Sequence, residues 1–137
     1  MNILKKLSPE WCLRIGFAAM YLYSGVDIFR NPSGWIWAVP TWFIGFVSNI
    51  MPIEVYLKLQ AIAEIIFALV FLAWFLNTRI VSYIALAAAL EMAGILFLGK
   101  AGIDSITFRD LGLLGGLVAL WIILRKRAQF DQSSDIE

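Results

Sequence analysis

The 137-residue chain is 61% hydrophobic and 15% charged, with a mean hydropathy of +0.82, which excludes an ordinary soluble domain, where charge runs at about 25%. A net charge of +1, with basic clusters only at Lys5 and Lys6 and at Arg125, Lys126 and Arg127, excludes a nucleic-acid-binding surface. With no histidine and one cysteine, Cys12, the chain cannot supply a CxxC dithiol, haem ligation by His, the usual zinc ligands or a Ser-His-Asp set.

The first predicted helix runs from Trp11 to Arg30. Ser8, Pro9 and Glu10 read as its start, with Ser8 capping, Pro9 at the first helical position and Glu10 facing the positive end of the dipole. Arg14 interrupts the apolar run and no A-x-A-like cleavage site follows, so this is a retained helix and not a signal peptide. Arg14 is expected to snorkel to lipid phosphate as an anchor. Asn31, Pro32, Ser33 and Gly34 form a stop signal.

Residues 31–52 are too apolar for a free loop. Trp35, Trp37, Trp42, Phe43 and Phe46 suit the headgroup zone, and the segment is read either as an interfacial aromatic anchor or as a partly helical lid over the bundle mouth. Leu59 to Thr78 and Ile80 to Gly99 then hold 20 residues each between basic flanks, and at 1.5 Å rise each spans about 30 Å, one hydrocarbon thickness. In the third span Ala85, Ala89 and Ala93 repeat at spacing four, as Gly112 and Gly116 do in the fourth. Such rows serve close helix approach, either inside the bundle or across a dimer seam.

The fourth span is placed from Phe108 to Leu124, and Thr107 to Asp110 resembles a capping box. Only 12 residues separate Arg14 from Asp27, and 14 separate Asp110 from Arg125, so the first and fourth spans cross only if their end charges lie near or inside the apolar slab. The expectation is an all-α, four-helix transmembrane bundle over residues 1–128, followed by a polar, disordered cytoplasmic tail over 129–137. With four spans, Lys5, Lys6, Arg14, Arg79, Arg125, Lys126 and Arg127 share one side and Arg30, Lys58, Lys100 and Arg109 the other, which places both termini in the cytoplasm.

Ionisable residues inside such spans are the best guide to function. Asp27, Arg30, Gln60, Glu64, Glu91, Arg109 and Asp110 all fall in the outer half of the bilayer, with Gln60 and Glu64 one to two turns inside the second span. Tyr23, Asp27 and Arg30 share one face by spacing, as do Gln60 and Glu64. A polar pocket opening outward is the expected centre. Four carboxyls facing Arg30 and Arg109 leave a negative balance, so at least one carboxyl is expected to be protonated, with Glu64 and Glu91 the candidates. The competing readings are structural: Asp27 and Arg30 as a self-neutralising pair, Asp110 as a cap, and Tyr21, Tyr23, Tyr56 and Tyr83 as interface or packing residues.

Arg14 in the first helix, the stretch Tyr21 to Asp27 (YLYSGVD) followed by Asn31, Pro32 and Trp35, Glu64 in the second span, and Phe108, Arg109, Asp110, Leu111, Gly112 opening the last together resemble the DoxX-like family of small prokaryotic membrane proteins. The resemblance covers about residues 10 to 125. It implies a multi-pass protein of the prokaryotic inner membrane and the membrane subunit of a quinone-linked thiosulfate or thiol oxidoreductase complex. In that role a quinone and a redox partner subunit are borrowed, Glu64 or Glu91 exchanges protons, and Arg30 or Arg109 holds an anionic donor. The basic residue common in the family shortly after the first-helix Ser-Gly falls near Asp27 here, with Arg30 the nearest cation. Reading the residues alone leaves a second class open, a non-enzymatic module that anchors, assembles or chaperones partner proteins. It leaves homo-oligomers open too, with a small-solute carrier among them.

Overall fold

Proline sets where the helices begin. In the computed structural model, which describes residues 8–99 and 108–134, α1 (Pro9–Arg30) opens with Pro9 in its first turn, where the missing N–H costs nothing. It ends before Pro32, with the Asn31 amide bonded to the Asp27 carbonyl. A 3-10 helix (Pro32–Ala38) and the short α2 (Thr41–Ser48) follow. Pro52 then starts α3 (Ile53–Leu72), Asn77 caps α4 (Thr78–Leu98) by accepting the Arg79 amide at 2.9 Å, and α5 covers Phe108–Ser134. No strand occurs among the described residues.

Three helices, α1, α3 and α4, are long and apolar enough to cross a membrane, and they mark the chain as a membrane protein. The 27-residue α5 differs because its charge-free stretch runs only from Leu111 to Leu124. The four long helices form a ring in which α1 packs chiefly on α3 and α4 on α5, with lighter α1–α5 and α3–α4 seams. Neighbours are antiparallel: the start of α1 meets the end of α3 through Arg14 and Phe71, and the end of α5 through Glu10 and Arg127.

The core holds Phe17, Tyr21, Phe71, Val81, Ala85, Ala88, Leu117, Leu120 and Leu124. In a lipid solvent, close van der Waals contact at such positions replaces the hydrophobic effect as the glue. Gly25 is one site of close approach, since a Cβ there would lie 2.8 Å from both the Ala61 carbonyl and Ile65 Cγ1. Gly116 is another, seated against the Phe17 ring. The small-residue rows therefore serve internal packing at Ala85, Ala89 and Gly116, whereas Gly112 faces open space.

Several boundaries differ from the sequence reading. The second span begins six residues before Leu59 and ends six before Thr78. Flanking charges misplace it because Lys58 sits exposed on the helix with its ammonium 5.9 Å from the Phe29 ring, while Pro52 and not Lys58 sets the start. Glu64 therefore lies near the middle of its helix, deeper than the spacing suggested. Residues 129–134 continue α5 as helix where a disordered tail was expected. The buried Ala128 and Arg127, bound to Glu10, lie just before this extension, which is exposed over 129–132. The Ser8 side chain makes no capping bond. Thr107 of the expected capping box lies outside the described residues.

Candidate functional site

One end of the bundle is closed by a buried charge network. Arg14, 5% exposed, donates from Nε to the Phe71 carbonyl and from Nη2 to the Ala73 carbonyl, both at 2.7 Å. These carbonyls end α3, where a helix lacks internal donors and a cation is favoured. Nη1 pairs with Glu10 Oε1 at 3.1 Å, Arg127 Nη1 takes Glu10 Oε2 at 2.9 Å, and the guanidinium lies 4.2 Å over the Trp11 ring. Arg14 is thus a buried clamp and not a snorkelling anchor.

The other end is open. The 3-10 helix and α2 fold back over α1 and α3, so that Ile28, Val39, Leu57 and Ala61 form a second small core beneath Trp35, Phe43 and Tyr56. Trp35 Nε1 donates to Asp27 Oδ2 at 2.8 Å and pins the segment to α1, while Phe43 meets Tyr56 edge-on at 5.1 Å. Trp37 and Phe46 remain exposed on its other side, while Trp42, also largely exposed, borders the cavity described next. One face of the segment packs on α1 and α3, and the other presents aromatic side chains outward.

Beneath it lies a cavity of about 370 Å³ bounded by α1, α3, α4 and this segment, with Ser24, Trp35, Phe43, Tyr56, Gln60, Glu64, Glu91 and Gly94 among its lining residues. Gln60 and Glu64 come from one face of α3 because they are four residues apart. Glu91 projects from α4 to meet them, and Gln60 Nε2 donates to Glu91 Oε1 at 3.5 Å. The Ser24 and Gln60 side chains flank the Glu64 carboxyl, and Tyr21, whose hydroxyl donates to the Ala88 carbonyl at 3.3 Å, flanks Glu91. Glu64 is 4% exposed. Its Oε2 atom and that of Glu91 are buried without a hydrogen-bond partner among the described residues.

No family model, curated protein or solved structure matches this chain.

Of the polar pocket residues expected from the sequence, the structure brings Gln60, Glu64 and Glu91 together and leaves Tyr23, Asp27, Arg30, Arg109 and Asp110 off the cavity lining. Tyr23 is 77% exposed and points away from the cavity, so the face of α1 toward the cavity is that of Ser24, one residue and about 100° round the helix. Asp27 is exposed and holds Trp35, not Arg30, and Arg30 is exposed at the helix end. Arg109, exposed, and Asp110, half-buried, open α5, which contributes no described lining residue. An anionic donor held by Arg30 or Arg109 inside this cavity is not what the geometry offers. Sequence reasoning missed Ser24 and Gly94 and read Tyr56 as an interface or packing residue; the signal for all three was their spacing from residues already chosen.

Chemically, the cavity is aromatic and aliphatic around a carboxyl pair, with a primary amide bridging and hydroxyls beside it. No described lysine or arginine lines it. Among the described residues there is no cluster of metal-ligating side chains either. It can hold an apolar molecule by its walls and a polar head by Glu64 and Glu91, and it can pass protons through those carboxyls.

Proposed function

We propose that the protein is a four-span inner-membrane protein, with both termini cytoplasmic, that binds an amphiphilic small molecule in the cavity beneath the 31–52 segment. The observation that carries this reading is the deeply buried Glu64, whose free carboxyl oxygen lies among the lining of an aromatic-walled cavity of about 370 Å³, within the size range of small-molecule sites. Glu64 and Glu91 are the polar recognition and proton-exchange groups, Gln60 holds them in register, and the 31–52 segment is the lid.

The fourth span is α5. It packs antiparallel along α4 through Leu117, Leu120 and Leu124, so a bilayer that contains α4 also contains the charge-free stretch Leu111 to Leu124. Exposed Trp37 and Trp42 at the lid end and Trp74 at the opposite end suit the two headgroup zones.

The DoxX-like resemblance supplies a candidate occupant, a quinone head group, and a role as membrane subunit of an oxidoreductase whose electrons come from a partner chain. Gly94 gives the test. A Cβ at Gly94 meets nothing within 4 Å although the residue lines the cavity, so Gly94→Phe fills the site while sparing the helix packing. Native mass spectrometry of the full chain extracted in mild detergent is expected to show a retained small molecule on the parent protein and none on Gly94→Phe. Identical spectra without any adduct would overturn the binding reading and favour an anchoring or assembly module.

A further inference from the structure

The cavity's charge and its hydrogen-bonding inventory point to a ligand of one sign. Glu64 is buried at 4% exposure with Oε2 unpartnered, and Glu91 Oε2 shares that condition in the same cavity. A buried carboxylate is costly unless paired. Among the described residues no lysine or arginine lines the cavity: Arg30 is exposed at the end of α1, and Lys58 is exposed over Phe29. On the donor side, Trp35 Nε1 is committed to Asp27 and the Gln60 amide to Glu91, the Ser24 hydroxyl flanks Glu64, and the Tyr56 hydroxyl is a further donor on the lining. The acceptors left over are two carboxyl oxygens, Glu64 Oε2 and Glu91 Oε2, and it is their negative charge that an occupant meets.

The walls favour the same sign. Trp35, Trp42, Phe43 and Tyr56 line the cavity, and aromatic faces attract a positive charge, more strongly when water is excluded. A carboxylate and aromatic rings around one volume together suit a compact positive head carried on an apolar body. We infer that the cavity binds a lipid-soluble organic cation, with Glu64 as the principal counter-charge and Glu91 as the second. This rests on the reading of the cavity as a ligand site and names the class of ligand.

The test uses the full chain in detergent and radiolabelled tetraphenylphosphonium as the probe, with neutral triphenylphosphine oxide and a short-chain ubiquinone as uncharged comparators. Saturable binding of the cation is expected. Glu64→Gln should weaken it by about tenfold or more, one decade of affinity for the lost ion pairing. Glu91→Gln should weaken it less, and Gly94→Phe should abolish it. Circular dichroism and thermal unfolding of each variant check that the bundle is intact, and Glu64→Asp, which keeps the charge, should retain more binding than Glu64→Gln. The inference falls if the uncharged comparators bind as tightly as the cation, or if a folded Glu64→Gln binds the cation unchanged. Binding of the comparators that Gly94→Phe removes would leave the ligand-site reading standing while overturning the cationic ligand. If no probe shows binding sensitive to Gly94→Phe, both fall.

Discussion

Replacing Arg14 by alanine removes the clamp at the closed end of the bundle, and its cost can be worked from four contacts. The guanidinium serves the Phe71 and Ala73 carbonyls at 2.7 Å, pairs with Glu10 at 3.1 Å and covers Trp11 at 4.2 Å. Each hydrogen bond to a charged group contributes about 1.5–3 kcal/mol, and breaking a buried pair from one side costs about 3–5 kcal/mol. Glu10 keeps Arg127, an exposed partner, which softens its loss; the two carbonyls keep no described side-chain donor. Arg14→Ala is therefore expected to destabilise the protein by about 3–5 kcal/mol. Arg14→Lys should recover only part, because one ammonium cannot reproduce the fork that reaches two carbonyls and a carboxylate. The assay is unfolding in mixed micelles with increasing dodecyl sulfate, followed by tryptophan fluorescence and helicity. A cycle with Glu10→Gln should give a coupling of about 1–3 kcal/mol. A cost for Arg14→Ala below about 1 kcal/mol, or strict additivity with Glu10→Gln, would refute the clamp.

The remaining predictions concern packing, the lid and topology. Gly25→Ala forces a Cβ to 2.8 Å from the Ala61 carbonyl and Ile65 and should cost about 1–3 kcal/mol as overpacking, whereas Gly112→Ala, with nothing near its Cβ, should be neutral or stabilising in the same unfolding assay. Asp27→Asn keeps an acceptor for Trp35 and should be mild. Asp27→Ala removes it and should loosen the lid, seen as faster amide hydrogen exchange over residues 32–48 with α4 unchanged. With four spans, a reporter fused after Glu137 is expected on the same side of the membrane as the N-terminus; reporters on opposite sides would refute the spanning role of α5.

The all-helical architecture and the convergence of Gln60, Glu64 and Glu91 were legible because each is an ionisable or amide side chain inside an apolar run, where a polar group must find either a partner or a cavity. The depth of Glu64 was not legible. Lys58 and Arg79 mark the charge limits of the run, but Pro52 starts α3, and its end coincides with carbonyls bound to Arg14 57 and 59 residues earlier in the chain. Backbone carbonyls leave no trace in a sequence, and for that reason Arg14 reads as a surface anchor when taken alone. Tyr23 failed for a different reason. Spacing ties it to Asp27, but Asp27 turns toward Trp35, outside the cavity lining, and Ser24 holds the inward position. The helical extension beyond Leu124 hid behind its polar composition, since the contact that fixes it, Arg127 to Glu10, closes over 117 residues.

Two glutamates of equal burial give the two ends of the bundle opposite meanings. Glu10 is 5% exposed and has both carboxylate oxygens taken, one by Arg14 and one by Arg127. Glu64 is 4% exposed and has one oxygen with no partner. The bundle that satisfies a buried acid at one end therefore leaves a carboxyl oxygen without a partner among the described residues at the other, where an aromatic segment and an open volume take the place of arginine. A purely structural carboxyl at position 64 would gain by the pairing that Glu10 has, because a half-satisfied buried polar group is worse than an apolar one. The contrast within one chain supports the proposal that the end beneath residues 31–52 holds an occupant, with the arginine end as its frame.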